Sequence, residues 1–148
     1  MIKKYHWLIL VLAVVFAGGL TFVYFFHHSD TKAFVGLAAA YEKFDQAMAD
    51  FSAPTTVDVE TKVSEALTQL EAKAATFRIS SLVKHDAELM QQVPQIAGLA
   101  RQEFIALQAY KQALAGRRTD TSSLASQLHI LTNQRQAAYA DFRKLAGL

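Results

Sequence analysis

The sequence predicts an all-α protein in which a single N-terminal transmembrane helix is followed by an antiparallel up-and-down helical bundle of about four helices. Three observations lead to this prediction. An uncharged apolar run near the N-terminus is long enough to cross a bilayer. Beyond it, apolar residues recur with the alternating spacing of three and four that is typical of packed helices. Only two prolines and six glycines occur in the chain, which favours long helices.

The apolar run extends from residue 5 to residue 26 and contains no charged side chain. At about 1.5 Å per residue, a helix of this length covers roughly 33 Å, which exceeds a hydrocarbon core of about 30 Å. Tyr5 and Trp7 at one end and Tyr24 at the other suit the membrane interfaces, where aromatic rings are enriched. We therefore predict a transmembrane helix over residues 5–26.

The charges that flank the run predict its orientation. Lys3 and Lys4 precede it, and basic flanks stay preferentially on the cytoplasmic side. The segment is then a signal-anchor of a single-pass membrane protein. Residues 1–4 are expected in the cytoplasm, and residues 27–148 are expected to form one extracytoplasmic, periplasmic-type domain.

A cleavable signal peptide is the main alternative for this segment. Val15, Phe16 and Ala17 resemble a small-residue cleavage site after a short apolar region. The apolar run continues to residue 26 without the polar region that a cleavage site normally has. A retained anchor is therefore the favoured interpretation.

Four amphipathic segments follow the apolar run. The first segment has the most regular apolar spacing. The third segment contains Pro94, where we expect a bend or a helix boundary because proline lacks an N–H donor. Pro54 ends the first segment, and Thr55 with Asp58 resembles a capping box that starts the second. The predicted core positions are Phe34, Leu37, Tyr41, Phe44, Met48 and Phe51 in the first segment, Val63, Leu67, Leu70, Ala74 and Phe77 in the second, Ile96, Ala100, Phe104, Leu107, Tyr110 and Leu114 in the third, and Leu124, Leu128, Leu131, Arg135, Ala138, Phe142 and Leu145 in the fourth.

The sequence leaves open how the membrane segment joins the first bundle segment. No proline separates them, so one helix can run through both. Alternatively, Ser29, Asp30 or Thr31 caps a new helix.

Charge and composition exclude several classes of function. Beyond Lys3 and Lys4, thirteen basic residues balance thirteen acidic ones. A neutral domain has no electrostatic footprint for nucleic acid, so we expect no nucleic-acid partner. The absence of cysteine excludes disulfides, thiolate metal sites and a cysteine nucleophile.

The histidines and methionines do not form a recognisable catalytic, metal or cofactor pattern. His85 and His129 each lack a second ligand at helical spacing, so we expect no metal site. Met48 and Met90 are of a residue type that can bind haem iron, but their spacing does not indicate a haem site. Buried methionines are usually core residues. We therefore predict a protein without cofactor and without catalytic residues, and not an enzyme.

Arg135 is the one residue that stands out as a candidate site. It occupies a core position of the fourth segment, and a guanidinium cannot be buried without a partner. Its side chain either extends to water, forms a buried ion pair with an acidic residue of a facing helix, or binds an acidic group of an interaction partner. Extension to water is the favoured outcome, because the long stem of arginine commonly reaches the solvent.

These features favour a membrane-anchored, non-enzymatic binding or scaffold protein. Its expected partners are the lipid membrane and either another protein or further copies of the chain in a homo-oligomer. The alternative is a sensor-type or small-ligand-binding helical domain outside the cytoplasm.

Overall fold

A computed structural model describes the backbone of residues 3–52, 58–116 and 121–148, and the side chains of residues 13–25, 27–51, 59–116 and 121–148. These residues form four helices and no strand. The helices are α1 (Lys3–Ser52), α2 (Asp58–Thr76), α3 (Asp86–Ala115) and α4 (Ser122–Ala146). The prediction of an all-α fold with about four helices is confirmed.

Contacts between the helices show an antiparallel arrangement. Residues that lie further along one helix contact residues that lie earlier on its neighbour. The pairs are Asp30–Ser80 and Lys43–Gln69 between α1 and the α2 side, Glu60–Gln108 and Glu71–Arg101 between α2 and α3, and Phe34–Phe142 and Asp45–Arg135 between α1 and α4. The chain therefore runs up and down through a bundle, as its four apolar stripes predicted.

The core follows the predicted spacing most closely in α1. All six predicted positions of that helix are buried, and Phe44 is completely inaccessible to solvent. In α4 the spacing is followed less closely, because Leu124, Leu128 and Leu145 are only partly buried while Tyr139 is buried as well. The bundle closes around a cluster of aromatic rings from α1, α4 and the residue that follows α2, namely Phe34, Phe77, Tyr139 and Phe142.

The structure answers the question of how α1 begins, because this helix is continuous over 50 residues. At about 1.5 Å per residue it is about 75 Å long. Thr31 donates its hydroxyl proton to the carbonyl of His27 at 2.8 Å, so it bonds within the helix and does not cap a new one. All described side chains before Asp30 are exposed, and the packed bundle begins at that residue.

Within the part of the chain that the structure describes, no helix combines the length and apolar character needed to cross a membrane. The side chains of residues 5–12 and 26 lie outside that part. The transmembrane segment predicted at residues 5–26 is thus unsupported by the structure and stays a prediction.

Pro94 does not mark a helix boundary, which corrects one alternative of the sequence prediction. It lies inside α3, eight residues after the first residue of that helix. Its side chain is exposed, so the pyrrolidine ring lies on the outer face of the bundle. On that face the carbonyl that loses its N–H partner can be hydrated, and the helix continues. The capping box predicted at Thr55 lies outside the described residues.

The C-terminal end of α1 is stabilised by another helix. No basic residue lies in the last turn of α1. Lys111 of α3 donates instead to the carbonyl oxygen of Phe51, and its Nζ lies 3.8 Å from the centre of the Phe51 ring. A cation at this position complements the negative end of the helix dipole.

Candidate functional site

Arg135 lies at the centre of a buried polar cluster that joins three helices. Only 1 % of its surface is accessible, and 3 % of that of Glu103. The guanidinium Nε of Arg135 donates to Glu103 Oε2, and its Nη1 donates to the hydroxyl of Tyr41. Its Nη2 donates to Asp45 Oδ1 at 2.7 Å and lies 3.5 Å from Glu103 Oε1. The favoured expectation, that the Arg135 side chain extends to water, is therefore wrong, and the structure places Arg135 in a buried ion pair.

Each helix supplies its part of the cluster through regular helical spacing. Tyr41 and Asp45 are four residues apart on α1 and therefore lie on the same face. Glu103 projects from α3, and Thr132 of α4 lies one turn before Arg135. The hydroxyl of Thr132 is 2.7 Å from Glu103 Oε1 and 3.0 Å from the carbonyl of Leu128, and it can donate to either. These bonds fix the level at which α1, α3 and α4 meet.

Aromatic rings form the apolar floor of the cluster. The Tyr41 ring stacks on the Tyr139 ring, with centroids 3.5 Å apart and planes inclined by 11°. The guanidinium carbon of Arg135 lies 5.1 Å from the centre of the Tyr41 ring and 5.4 Å from that of Phe44. These contacts add cation–π attraction to the hydrogen bonds of Arg135.

The environment of the cluster shifts the acidity of three of its groups. Burial disfavours the charge on Arg135, but hydrogen bonding and attraction to Glu103 outweigh this effect and raise its pKa. Burial raises the pKa of the Tyr41 hydroxyl well above its ordinary value, and the neighbouring positive charge of Arg135 opposes this only in part. Burial, followed by the negative charge of Glu42, also raises the pKa of Tyr139. At neutral pH both tyrosines are therefore protonated and Arg135 is charged.

A small cavity opens beside the cluster between α1, α3 and α4. Its volume is about 200 Å³. For comparison, an engineered apolar cavity of about 150 Å³ holds benzene. The buried ion pair forms one wall and apolar side chains form most of the rest; the lining residues are Asp45, Met48, Ala49, Glu103, Leu107, Leu128, Thr132, Arg135 and Gln136. The arrangement can hold three helices in register and can present polar groups to a small molecule.

A second, more open cleft of about 320 Å³ lies between α1 and α4. Val35, Ala38 and Ala39 line it from α1, and Tyr139 lines it from α4. The hydroxyl of Tyr139 is buried and has no hydrogen-bond partner among the described residues.

The histidines considered as ligands lie apart from the cluster. His85 directly precedes α3, and its Nδ1 is 3.2 Å from Oε2 of Glu88 in the first turn of that helix. His129 Nε2 is 3.1 Å from the side-chain amide of Asn133. Both histidines are exposed. Among the residues with described side chains, no group of three or more His, Asp or Glu lies close enough to share a metal ion.

Sequence reasoning missed the partners of Arg135, although one of them carried a signal. Glu103 falls between Ala100 and Leu107 at spacings of three and four, so it occupies a core position of α3 just as Arg135 does in α4. Two opposite charges at core positions of separate helices predict a buried pair. Asp45 gave no such signal in the sequence, because it directly follows the core residue Phe44 and does not fall at a core position itself. In the structure its side chain is 46 % exposed.

Comparison of the chain with protein-family models, curated proteins and solved structures gave no match.

Proposed function

We propose that this chain is a membrane-anchored, non-enzymatic binding or scaffold protein whose helical bundle engages a protein partner or a second copy of itself. In this proposal residues 5–26 lie in the bilayer. Residues 1–4 are cytoplasmic, and residues 27–148 form the binding domain outside the cytoplasm.

The exposure of large apolar side chains on the first half of α1 carries this proposal. Val14, Val15, Phe16, Leu20 and Val23 are each more than half exposed, on a part of the helix that precedes the bundle. Contiguous apolar surface of this kind is typical of sites that contact a membrane or another protein. The absence of charge from residue 5 to residue 26 favours lipid as the surroundings.

The polar cluster favours binding or scaffolding over catalysis. Arg135 donates hydrogen bonds to Glu103, Asp45 and Tyr41, and all three residues belong to the bundle. A catalytic acid or base has to lie within reach of a substrate, and its pKa has to be near the working pH. The pKa of the Tyr41 hydroxyl is raised, so this group ionises even further from neutral pH than an ordinary tyrosine does. The cluster is better suited to hold a rigid surface for a partner.

Purification of the full chain in mild detergent tests the proposal. We expect a protein partner at fixed stoichiometry, identified by mass spectrometry, or a defined oligomer of the chain itself. A monomer that retains no protein would contradict the scaffold proposal. Recovery of the chain in the soluble fraction without detergent would contradict the anchor.

A small-ligand-binding domain is the second candidate, because the cavity beside Arg135 favours it. Native mass spectrometry of the detergent-purified chain should then show an added mass that is lost in Asp45→Asn, which changes the half-exposed wall of the cavity. Asp141→Asn is the matched control, because Asp141 is an exposed aspartate of α4 outside the cavity lining. An added mass that both variants retain, or none in the parent chain, would exclude this candidate.

A further inference from the structure

The connector between α2 and α3, residues 77–85, combines apolar and basic side chains at one end of the bundle. Ile79, Leu82 and Val83 lie between Arg78 and Lys84. Leu82 is 68 % exposed, more than any other large hydrophobic residue after residue 26 for which exposure is described. Ile79 and Val83 are partly buried against the core, and Arg78 donates to the carbonyl oxygens of Ala75 and Phe77. Leu82 and Lys84 are therefore the side chains of the connector that can reach a membrane surface, where an inserted leucine and a lysine that keeps its charge at the interface are compatible.

Two hydrogen bonds hold this connector against α1. Ser80 donates its backbone N–H to Asp30 Oδ1 at 2.9 Å and its hydroxyl proton to Asp30 Oδ2 at 2.6 Å. Asp30 is buried by these contacts, with 7 % of its surface exposed. The Phe77 ring, where the connector begins, packs on Phe34 at a centroid distance of 5.6 Å. The connector therefore has a defined height along α1.

That height falls next to the end of the apolar run. Asp30 lies four residues after residue 26, and four residues of helix rise about 6 Å. The headgroup layer on each side of a bilayer is about 5–8 Å thick, the difference between the hydrocarbon core and the full membrane. An anchor over residues 5–26 thus brings Ser80 into the headgroup layer, and Leu82 is two residues further along the chain.

We propose that the connector docks on the surface of the same membrane that holds the anchor, with Leu82 inserted among the lipids and Lys84 beside lipid phosphates. This inference rests on the proposed membrane anchor. The bundle then has two attachments to the bilayer, one through α1 and one through the connector. Because Asp30 joins the two, they fix the tilt of the bundle relative to the membrane.

Single-cysteine labelling of the full chain tests this proposal, since the natural chain has no cysteine. Leu82→Cys is labelled with an environment-sensitive fluorophore, and the chain is reconstituted in vesicles of phosphatidylcholine and phosphatidylglycerol. We expect a blue-shifted emission, strong quenching by spin-labelled lipid and several-fold weaker quenching by aqueous iodide than at the control site.

Ile130→Cys is the matched control. Ile130 is also an exposed aliphatic residue, at 55 %. Ile130 lies just over one turn before Arg135 on α4. Arg135 contacts Asp45, which lies fifteen residues beyond Asp30 on α1, so Ile130 is far from the end of the bundle that is proposed to meet the membrane. Its label should remain open to iodide and insensitive to spin-labelled lipid.

Val15→Cys separates failure of this inference from failure of the anchor. If lipid quenches the Val15 label while the Leu82 label behaves like that at Ile130, the anchor stands and the docking proposal is wrong. If iodide quenches all three labels equally, the anchor itself is wrong and the docking proposal falls with it. Circular dichroism of each variant checks that the bundle is intact.

Discussion

At Arg135 the bundle places a charge where its sequence pattern calls for an apolar side chain. Buried ion pairs gain little stability over apolar residues of similar size, because removing charges from water is costly. Removing one partner is much more costly than replacing both, since the other charge is left buried. The cluster is therefore best understood as a device that fixes the register of three helices.

Arg135→Ala should lower the free energy of unfolding by about 3–5 kcal/mol, because Glu103 loses its cation in the core. Urea denaturation followed by circular dichroism measures this loss. Arg143→Ala, an exposed arginine two turns further along α4, should change stability by no more than about 0.5 kcal/mol. The double replacement Arg135→Leu with Glu103→Leu should cost much less than Arg135→Ala alone. Equal losses for Arg135→Ala and Arg143→Ala would show that the ion pair is not buried in solution.

Tyr41 should make the bundle less stable at alkaline pH. Its pKa is raised in the folded state, whereas an unfolded tyrosine ionises near pH 10. The folded chain thus holds this proton more tightly, and the contribution is complete below about pH 10. As the pH rises further, the unfolded chain loses the proton first and the free energy of unfolding falls. Denaturation curves from neutral to alkaline pH should show a smaller fall in Tyr41→Phe, and identical pH dependence would contradict the assignment.

At the scale of the helices, Asp30 joins α1 to the connector that follows α2. Its two bonds to Ser80 close a contact between residues fifty positions apart in the chain. Asp30→Ala leaves the backbone N–H of Ser80 without its acceptor, so stability should fall by about 1–3 kcal/mol. Hydrogen exchange of the Ser80 amide should also become faster. Unchanged exchange at Ser80 would mean that the connector is held by its apolar contacts alone.

The helical elements were predictable where apolar spacing alone determines burial. The spacing from Phe34 to Phe51 predicted a buried face of α1, and every position is buried. The sequence left open whether Pro94 lies within a helix or at its boundary, because it does not show that Pro94 falls on the solvent side of α3, where a missing hydrogen bond is tolerated. The role of Asp30 was hidden for a related reason. Its partner Ser80 belongs to a connector, and no periodic pattern places a connector next to a particular helix residue.

The polar site was predictable only in part, since the sequence identified Arg135 as a misfit without its partners. A seam position tells which residues point inward, but it does not give the relative height of two helices. That height decides whether Glu103 or another acidic residue meets the guanidinium. Tyr41 was predicted as a core ring, and its hydroxyl bond to Arg135 depends on the same height.

At the scale of the whole molecule, a helical bundle is joined without interruption to an apolar extension of α1. Among the residues with described side chains, every buried one is kept in a chain shortened to residues 27–148. The shortened chain should therefore be soluble and strongly helical by circular dichroism, because the four apolar faces cover one another. Aggregation of this shortened chain under conditions where its secondary structure is intact would show that the bundle needs the extension or a partner to cover its surface.

Accessibility of single cysteines in intact cells tests the central proposal most directly, namely that the bundle is anchored in a membrane and lies outside the cytoplasm. Ser126→Cys is placed on the exposed side of α4, and Ile2→Cys is placed before the apolar run. A membrane-impermeant maleimide should label Ser126→Cys in intact cells and Ile2→Cys only after permeabilisation, with both chains in the membrane fraction. Labelling of Ile2→Cys alone in intact cells would reverse the orientation, and recovery of either chain in the soluble fraction would contradict the anchor.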